Sequence, residues 1–84
     1  MVEVIFDEHF QRAIQKIKDQ EFQKSIKNKI QKIIVNPEIG KPMRNIRKGT
    51  REIYIGGGSL RLSYEYHREK NTIEFLDVYH KDEQ

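Results

Sequence analysis

A break in helical phase between Ile17 and Phe22 limits what this chain can fold into more than any other feature. Phe10, Ala13, Ile14 and Ile17 fall on one face of a helix, and continuing that phase calls for apolar residues near positions 21 and 24, where Glu21 and Lys24 stand instead. The pattern resumes one residue late with Phe22, Ile26, Ile30, Ile33 and Ile34, a rotation of roughly 100° about the axis. One straight helix cannot bury both stripes against a single surface. The spacing therefore predicts two helices joined by a tight turn near Lys18 to Gln20. Asp7 is placed to cap the first, with Glu8 in the turn where the helix dipole favours an acid. The second ends at Asn36-Pro37, because proline disfavours helical geometry in the residue before it. Its Lys24, Lys27, Asn28 and Gln31 read as solvated surface.

Strand signals flank this helical pair. Val2 to Phe6 alternates, with Val2, Val4 and Phe6 on one side, and Arg51 to Ile55, Leu60 to Tyr66 and Thr72 to Tyr79 follow later. The links Gly56-Gly57-Gly58-Ser59 and His67 to Asn71 are short enough for antiparallel hairpins. The three glycines do not read as a phosphate cradle, since no lysine–hydroxyl pair and no helix follow them. The order β-α-α-β-β-β predicts an α+β fold, an antiparallel sheet with a two-helix hairpin packed on one face. Its 84 residues have room for one domain, residues 1–84.

Strand parity then sorts the side chains. Ile53, Ile55, Leu60, Leu62 and Tyr64 share the face expected under the helices, leaving Glu52, Tyr54, Arg61, Ser63 and Glu65 on the open one. In the last strand Leu76 and Val78 look core-facing, which puts Asp77, Tyr79 and Lys81 beside Arg61. Ile73 and Phe75 share the parity of Asp77, so either that strand is apolar on both sides or a bulge shifts its phase. An open face with cations and tyrosines is a platform for single-stranded RNA, where cations hold phosphates and rings stack on bases. The competing reading pairs Arg61 with Glu52 or Asp77 across strands and treats Tyr54 and Tyr79 as ordinary strand formers.

Composition removes several classes. With no cysteine, disulfide scaffolds, thiol nucleophiles and cysteine-bound metals are excluded. No apolar run approaches a membrane span and the amino terminus does not resemble a signal peptide, so the cytoplasm is the expected compartment, with no membrane partner. His9, His67 and His80 lack ligand-like spacing. No metal site or cofactor is expected; His9 reads as a surface residue of the first helical turn and His67 as a hairpin-loop residue. The net charge is only +3, yet Lys41, Arg44, Arg47, Lys48 and Arg51 give the segment 41–51 a charge of +5, leaving −2 for the remainder. Such a segment is either a solvated loop or a stripe for RNA or an acidic protein.

Gly40-Lys41-Pro42, then Arg61-Leu62-Ser63-Tyr64, then Tyr79-His80-Lys81 at the end of the last strand resemble the RelE/ParE superfamily of bacterial and archaeal toxins over nearly the whole chain. The motifs look most like the RelE and YoeB branches, which cut messenger RNA on the ribosome; the ParE branch inhibits DNA gyrase instead. The resemblance implies that Arg61 stabilises transition-state charge, that Lys81 reinforces it, and that His80 matches the histidine near the carboxyl terminus of YoeB-like toxins. Met43 stands where YoeB-like proteins carry glutamate, and Glu52 and Tyr54 stand where RelE has two lysines. The resulting expectation is a metal-independent endoribonuclease with catalytic Arg61, Lys81, His80 and Glu52. Lys41, Arg44, Arg47, Lys48, Arg51, Tyr54 and Tyr79 would hold RNA or ribosome. Implied partners are an acidic cognate antitoxin, the ribosome and mRNA, with a homodimer or a toxin–antitoxin heterotetramer as the assembly. A gyrase-directed toxin and an inactive protein-binding relative remain the alternatives.

Overall fold

The computed structural model describes residues 2–43 and 49–80. Strand β1 (Glu3–Phe6) leads into helices α1 (Glu8–Lys16) and α2 (Gln20–Val35); β2 (Lys41–Pro42), β3 (Thr50–Ile55), β4 (Leu60–His67) and β5 (Thr72–His80) follow. The phase break falls where α1 gives way to α2. Asp7 caps α1 by accepting from the His9 N–H at 2.8 Å, and Asp19 caps α2 by accepting from Glu21 and Phe22 at 2.8 and 3.2 Å. Ile17 in extended geometry separates the two helices. Each helix then turns its own stripe inward, burying Phe10 from α1 and Ile26 and Ile33 from α2.

The sheet runs β1-β5-β4-β3-β2. It is mixed rather than wholly antiparallel: β1 lies parallel to β5, from Glu3 opposite Thr72 to Phe6 opposite Phe75. The helical hairpin carries the chain across one face, and β5, two reversals after β3, arrives beside β1 running the same way. The short edge strand β2 had no alternating pattern to announce it, and its proline is tolerated because an edge needs no second set of donors.

Along β5 the phase changes. Ser63 pairs with Asp77 but Tyr64 pairs with Phe75, so Leu76 is an extra residue in a β-bulge. Ile73 and Phe75 therefore face the core before the bulge and Val78 after it. Leu76, expected in the core, is only partly buried because it is the residue left over. Phe75 becomes the hub of an aromatic cluster, with ring centroids 5.3 Å from Phe6, 5.5 Å from Phe10 and 6.2 Å from Tyr64.

Tyr64 also ties down the loop after α2. Its hydroxyl accepts from the Gly40 N–H and donates to the Pro37 carbonyl, both at 2.8 Å. A Cβ on Gly40 would lie 2.6 Å from that hydroxyl oxygen, which is why glycine stands there. Arg51 completes the latch, donating to the carbonyls of Glu38 and Gly40 at 3.1 and 2.8 Å. Burial pushes the Tyr64 phenol above its ordinary pKa, against the opposing pull of the Gly40 N–H.

Replacing Tyr64 by Phe strands the Gly40 N–H and the Pro37 carbonyl, a loss of about 1–3 kcal/mol. Gly40→Ala forces an overlap and costs about the same. Urea melts should show both, with Ile53→Val, at a half-buried site, nearer neutral. Because its folded pKa is raised, the Tyr64 contribution is present below the unfolded value near ~10 and is lost as pH rises through the folded one. The stability gap between wild type and Tyr64→Phe should narrow above that pH.

Candidate functional site

Register arranges the side chains on the sheet face away from the helices into rows. Tyr54, Arg61 and Tyr79 line up across β3, β4 and β5; Glu52, Ser63 and Asp77 form the next row, extended by Lys41 on β2. The bulge at Leu76 lets Asp77 and Tyr79 share this side with Arg61 while Phe75 stays in the core. Alternation alone would have put Phe75 and Tyr79 on one face.

Within the rows, Arg61 and Glu52 are recessed rather than displayed, their side chains 17% and 10% exposed. The Tyr54 ring lies against the guanidinium, its centroid 4.6 Å from Cζ, a cation–π contact that shelters the charge. Tyr79 is buried and donates its hydroxyl to Glu52 Oε2 at 3.0 Å, while Glu52 Oε1 faces Arg61 Nη1 at 3.6 Å. That second contact is an ion pair too long for a hydrogen bond. Among the described residues, the buried Nε of Arg61 has no hydrogen-bond partner. The arrangement is a cation held in place without its donors being consumed, beside a carboxylate fixed by a phenol.

The structure separates other candidates from this cluster. Arg51 pairs with core-facing Tyr64 and spends its guanidinium on the loop carbonyls, so it points away from Arg61. His80 pairs with Leu60 and shares the helix side; it borders a groove of about 460 Å³ with His9, Arg12 and Lys16. Tyr79 contributes its hydroxyl, but burial leaves its ring unavailable for stacking on a base, whereas Tyr54 remains 44% exposed. Lys41 is exposed at the end of the Glu52 row. Arg44, Arg47, Lys48 and Lys81 lie outside the described residues. His67 is the last residue of β4 rather than a loop residue, partly buried between two glutamates. Ser63 stands opposite Glu52 and Asp77 opposite Ser63, on the face where strand parity had put both; the ion pair formed by Arg61 is with Glu52, one of the two partners the sequence offered.

A double-mutant cycle on Glu52→Ala and Arg61→Ala should give a coupling of about 0.5–3 kcal/mol by urea denaturation. Strict additivity would mean that the two charges do not sense one another.

Comparison with known proteins puts a chain of this fold among the small toxins of toxin–antitoxin systems. The family model described as "ParE toxin of type II toxin-antitoxin system, parDE" matches residues 4–84, and the chain belongs to that family. No curated protein sequence matches it. Its fold is similar to the toxin in the intact E. coli RelBE complex, with 19% identity and a TM-score of 0.78 over 93% of this chain and 94% of the other. The RelBE2 complex of Mycobacterium tuberculosis matches at 25% identity and a TM-score of 0.79, covering 95% and 98%. YafQ of E. coli matches at 16% identity and 0.74, covering 99% and 97%.

Proposed function

We propose that this toxin is a ribosome-dependent endoribonuclease that cuts messenger RNA, without a metal, at the Arg61 cluster. The observation that carries the reading is the 3.6 Å gap between Arg61 and Glu52, too long to consume the Nη1 donor, which leaves that end of a sheltered guanidinium for a phosphate. Glu52 takes the proton of the 2′-hydroxyl as the 2′-oxygen attacks phosphorus. Arg61 stabilises the charge that develops on the five-coordinate phosphorus, with Lys81 reinforcing it as the resemblance implies. Tyr79 holds Glu52 in place through their shared hydrogen bond, water protonates the departing 5′-oxygen, and Glu52 then returns its proton to solvent. The products are a 2′,3′-cyclic phosphate and a 5′-hydroxyl, and the cluster returns to its starting state. His80, on the other side of the sheet, takes no part in this scheme.

So small a face orients a flexible RNA poorly by itself. Ribosomal positioning of the message supplies what the protein lacks, and the basic segment 41–51, with Lys41 at the end of the Glu52 row, favours such an anionic surface. Action on translating ribosomes implies the cytoplasm as the site of action. The RelBE and RelBE2 structures are of toxin–antitoxin complexes, which supports a cognate antitoxin here as well. An acidic segment lying across the Arg61 face would neutralise the cation and block the phosphate.

A second reading has its own support: the matching family is described by ParE, and Glu52 and Tyr54 stand where RelE carries lysines. In that reading the target is DNA gyrase and the cluster is structural. Cell-free translation with a labelled message, run beside a gyrase supercoiling assay, separates the two. The proposal expects message cleavage that requires ribosomes, lost in Arg61→Ala and reduced ~10²–10⁴-fold in Glu52→Gln. Full cleavage by folded Arg61→Ala overturns the residue assignment; inhibited supercoiling with intact message overturns the ribonuclease reading.

A further inference from the structure

At the other end of the open face, the hairpin of β4 and β5 gathers a second set of polar groups. Glu65 and Glu74 are directly opposed Cα partners, and His67 stands two residues beyond Glu65 on the same side. Their parity is fixed by Tyr64 and Ile73, buried on the opposite face, and Tyr66, packed against the same core. One imidazole nitrogen and one carboxylate oxygen from each glutamate lie within 4.8 Å of one another. His67 Nε2 is 3.4 Å from Glu74 Oε1, and Nδ1 is 3.9 Å from Glu65 Oε1. All three side chains are about one-third exposed, sheltered yet open to solvent on one side.

The charge balance of this group is unfavourable. Two carboxylates directly across an antiparallel pair repel, and among the described residues neither forms an ion pair with a lysine or arginine. Among the described residues the ion-pairing partner of each is His67, and even a protonated imidazole leaves a charge of −1. Neutral imidazole does worse, because it has one N–H for two carboxylates and turns a lone pair toward the other. A divalent cation removes the repulsion and uses that lone pair.

We propose that Glu65, His67 and Glu74 form a binding site for one divalent transition cation of the zinc class. An imidazole with two carboxylates suits zinc and its neighbours; calcium and magnesium prefer oxygen donors in larger number. Donors around tetrahedral zinc lie about 3.3 Å apart, given metal–ligand distances near ~2.0–2.1 Å, so modest side-chain rotations close the set. The three come from adjacent strands of a packed sheet, which holds their backbones in place. Three protein ligands leave the fourth position, facing solvent, to water or to a carboxylate or imidazole of a bound protein. The site shares no residue with the Arg61 cluster and does not rest on the ribonuclease reading.

Calorimetric titration of the untagged full chain with zinc chloride, paired with visible absorption of the cobalt(II) form, tests the site. The proposal expects one ion per chain, tetrahedral cobalt bands, and at least ~10-fold weaker binding in both His67→Ala and the near-isosteric Glu74→Gln, with His9→Ala unchanged. Wild type that binds neither metal overturns the proposal and leaves a histidine bridging two acids. Equal affinity in folded His67→Ala or folded Glu74→Gln overturns it too, by placing the ion elsewhere.

Discussion

Strand β5 must turn apolar residues toward the helices at both of its ends, and Ile73, Phe75 and Val78 cannot all do so under strict alternation. One residue has to be left out of the pairing, and Leu76 is that residue. The consequence reaches both faces. On the helix side, Phe75 can centre the aromatic cluster while Val78 still packs into the core beside α1. On the other side, Asp77 and Tyr79 come opposite Ser63 and Arg61. The hydroxyl that fixes Glu52 is thus delivered by a defect in the strand that packs the core, and a change restoring regular pairing would have to give up one or the other.

A second constraint joins sequence segments that look unrelated on paper. Gly40-Lys41-Pro42 and Arg61-Leu62-Ser63-Tyr64 meet because the Tyr64 hydroxyl bonds the glycine N–H, and a side chain at position 40 would occupy the same space. The loop so anchored sets β2 against β3, and β2 in turn carries Lys41 to the end of the Glu52 row. Arg61 and Tyr64 have opposite parity on β4, so one strand contributes the recessed cation to one face and the loop anchor to the other. A recessed ion pair at the first of these sites gains little over well-packed apolar residues of similar volume, because desolvation offsets the attraction. Its value lies in holding a guanidinium where water only partly reaches it.

Local signals were legible in the sequence wherever burial had one answer. The phase break located the inter-helix turn because two apolar stripes could not share a surface, and the parity of β3 and β4 sorted their faces because apolar residues alternated with polar ones. Legibility failed where tertiary pairing decided. Nothing in Glu3–Phe6 encodes a parallel neighbour, and a two-residue edge strand is too short for a period. Arg51 is a different case: it has the parity of Ile53, so alternation already placed it on the helix side, and grouping it with the basic run by charge concealed this. His80 was assigned by motif to the Arg61 side, and its pairing with Leu60 puts it across the sheet. His67 lay one residue past the expected strand end, which hid its partnership with Glu65 and Glu74.

The open face is consequently polarised along its strands. Around Arg61 the cation sits beside Glu52, already bound by Tyr79, and Asp77 and Lys41 in the adjoining row offset one another; around His67 two carboxylates share one imidazole. A polyanion entering this face is drawn to the first end and repelled by the second, so the acidic end acts as a boundary that limits how far a phosphate chain can extend along β4 and β5. An acidic protein segment feels the same gradient and has the same preferred end. A divalent ion held by Glu65, His67 and Glu74 would cancel the repulsion and lengthen the surface on which a negative partner can rest. Occupancy at one end of the hairpin would then change what the other end can accept, without moving any of the residues that bind it.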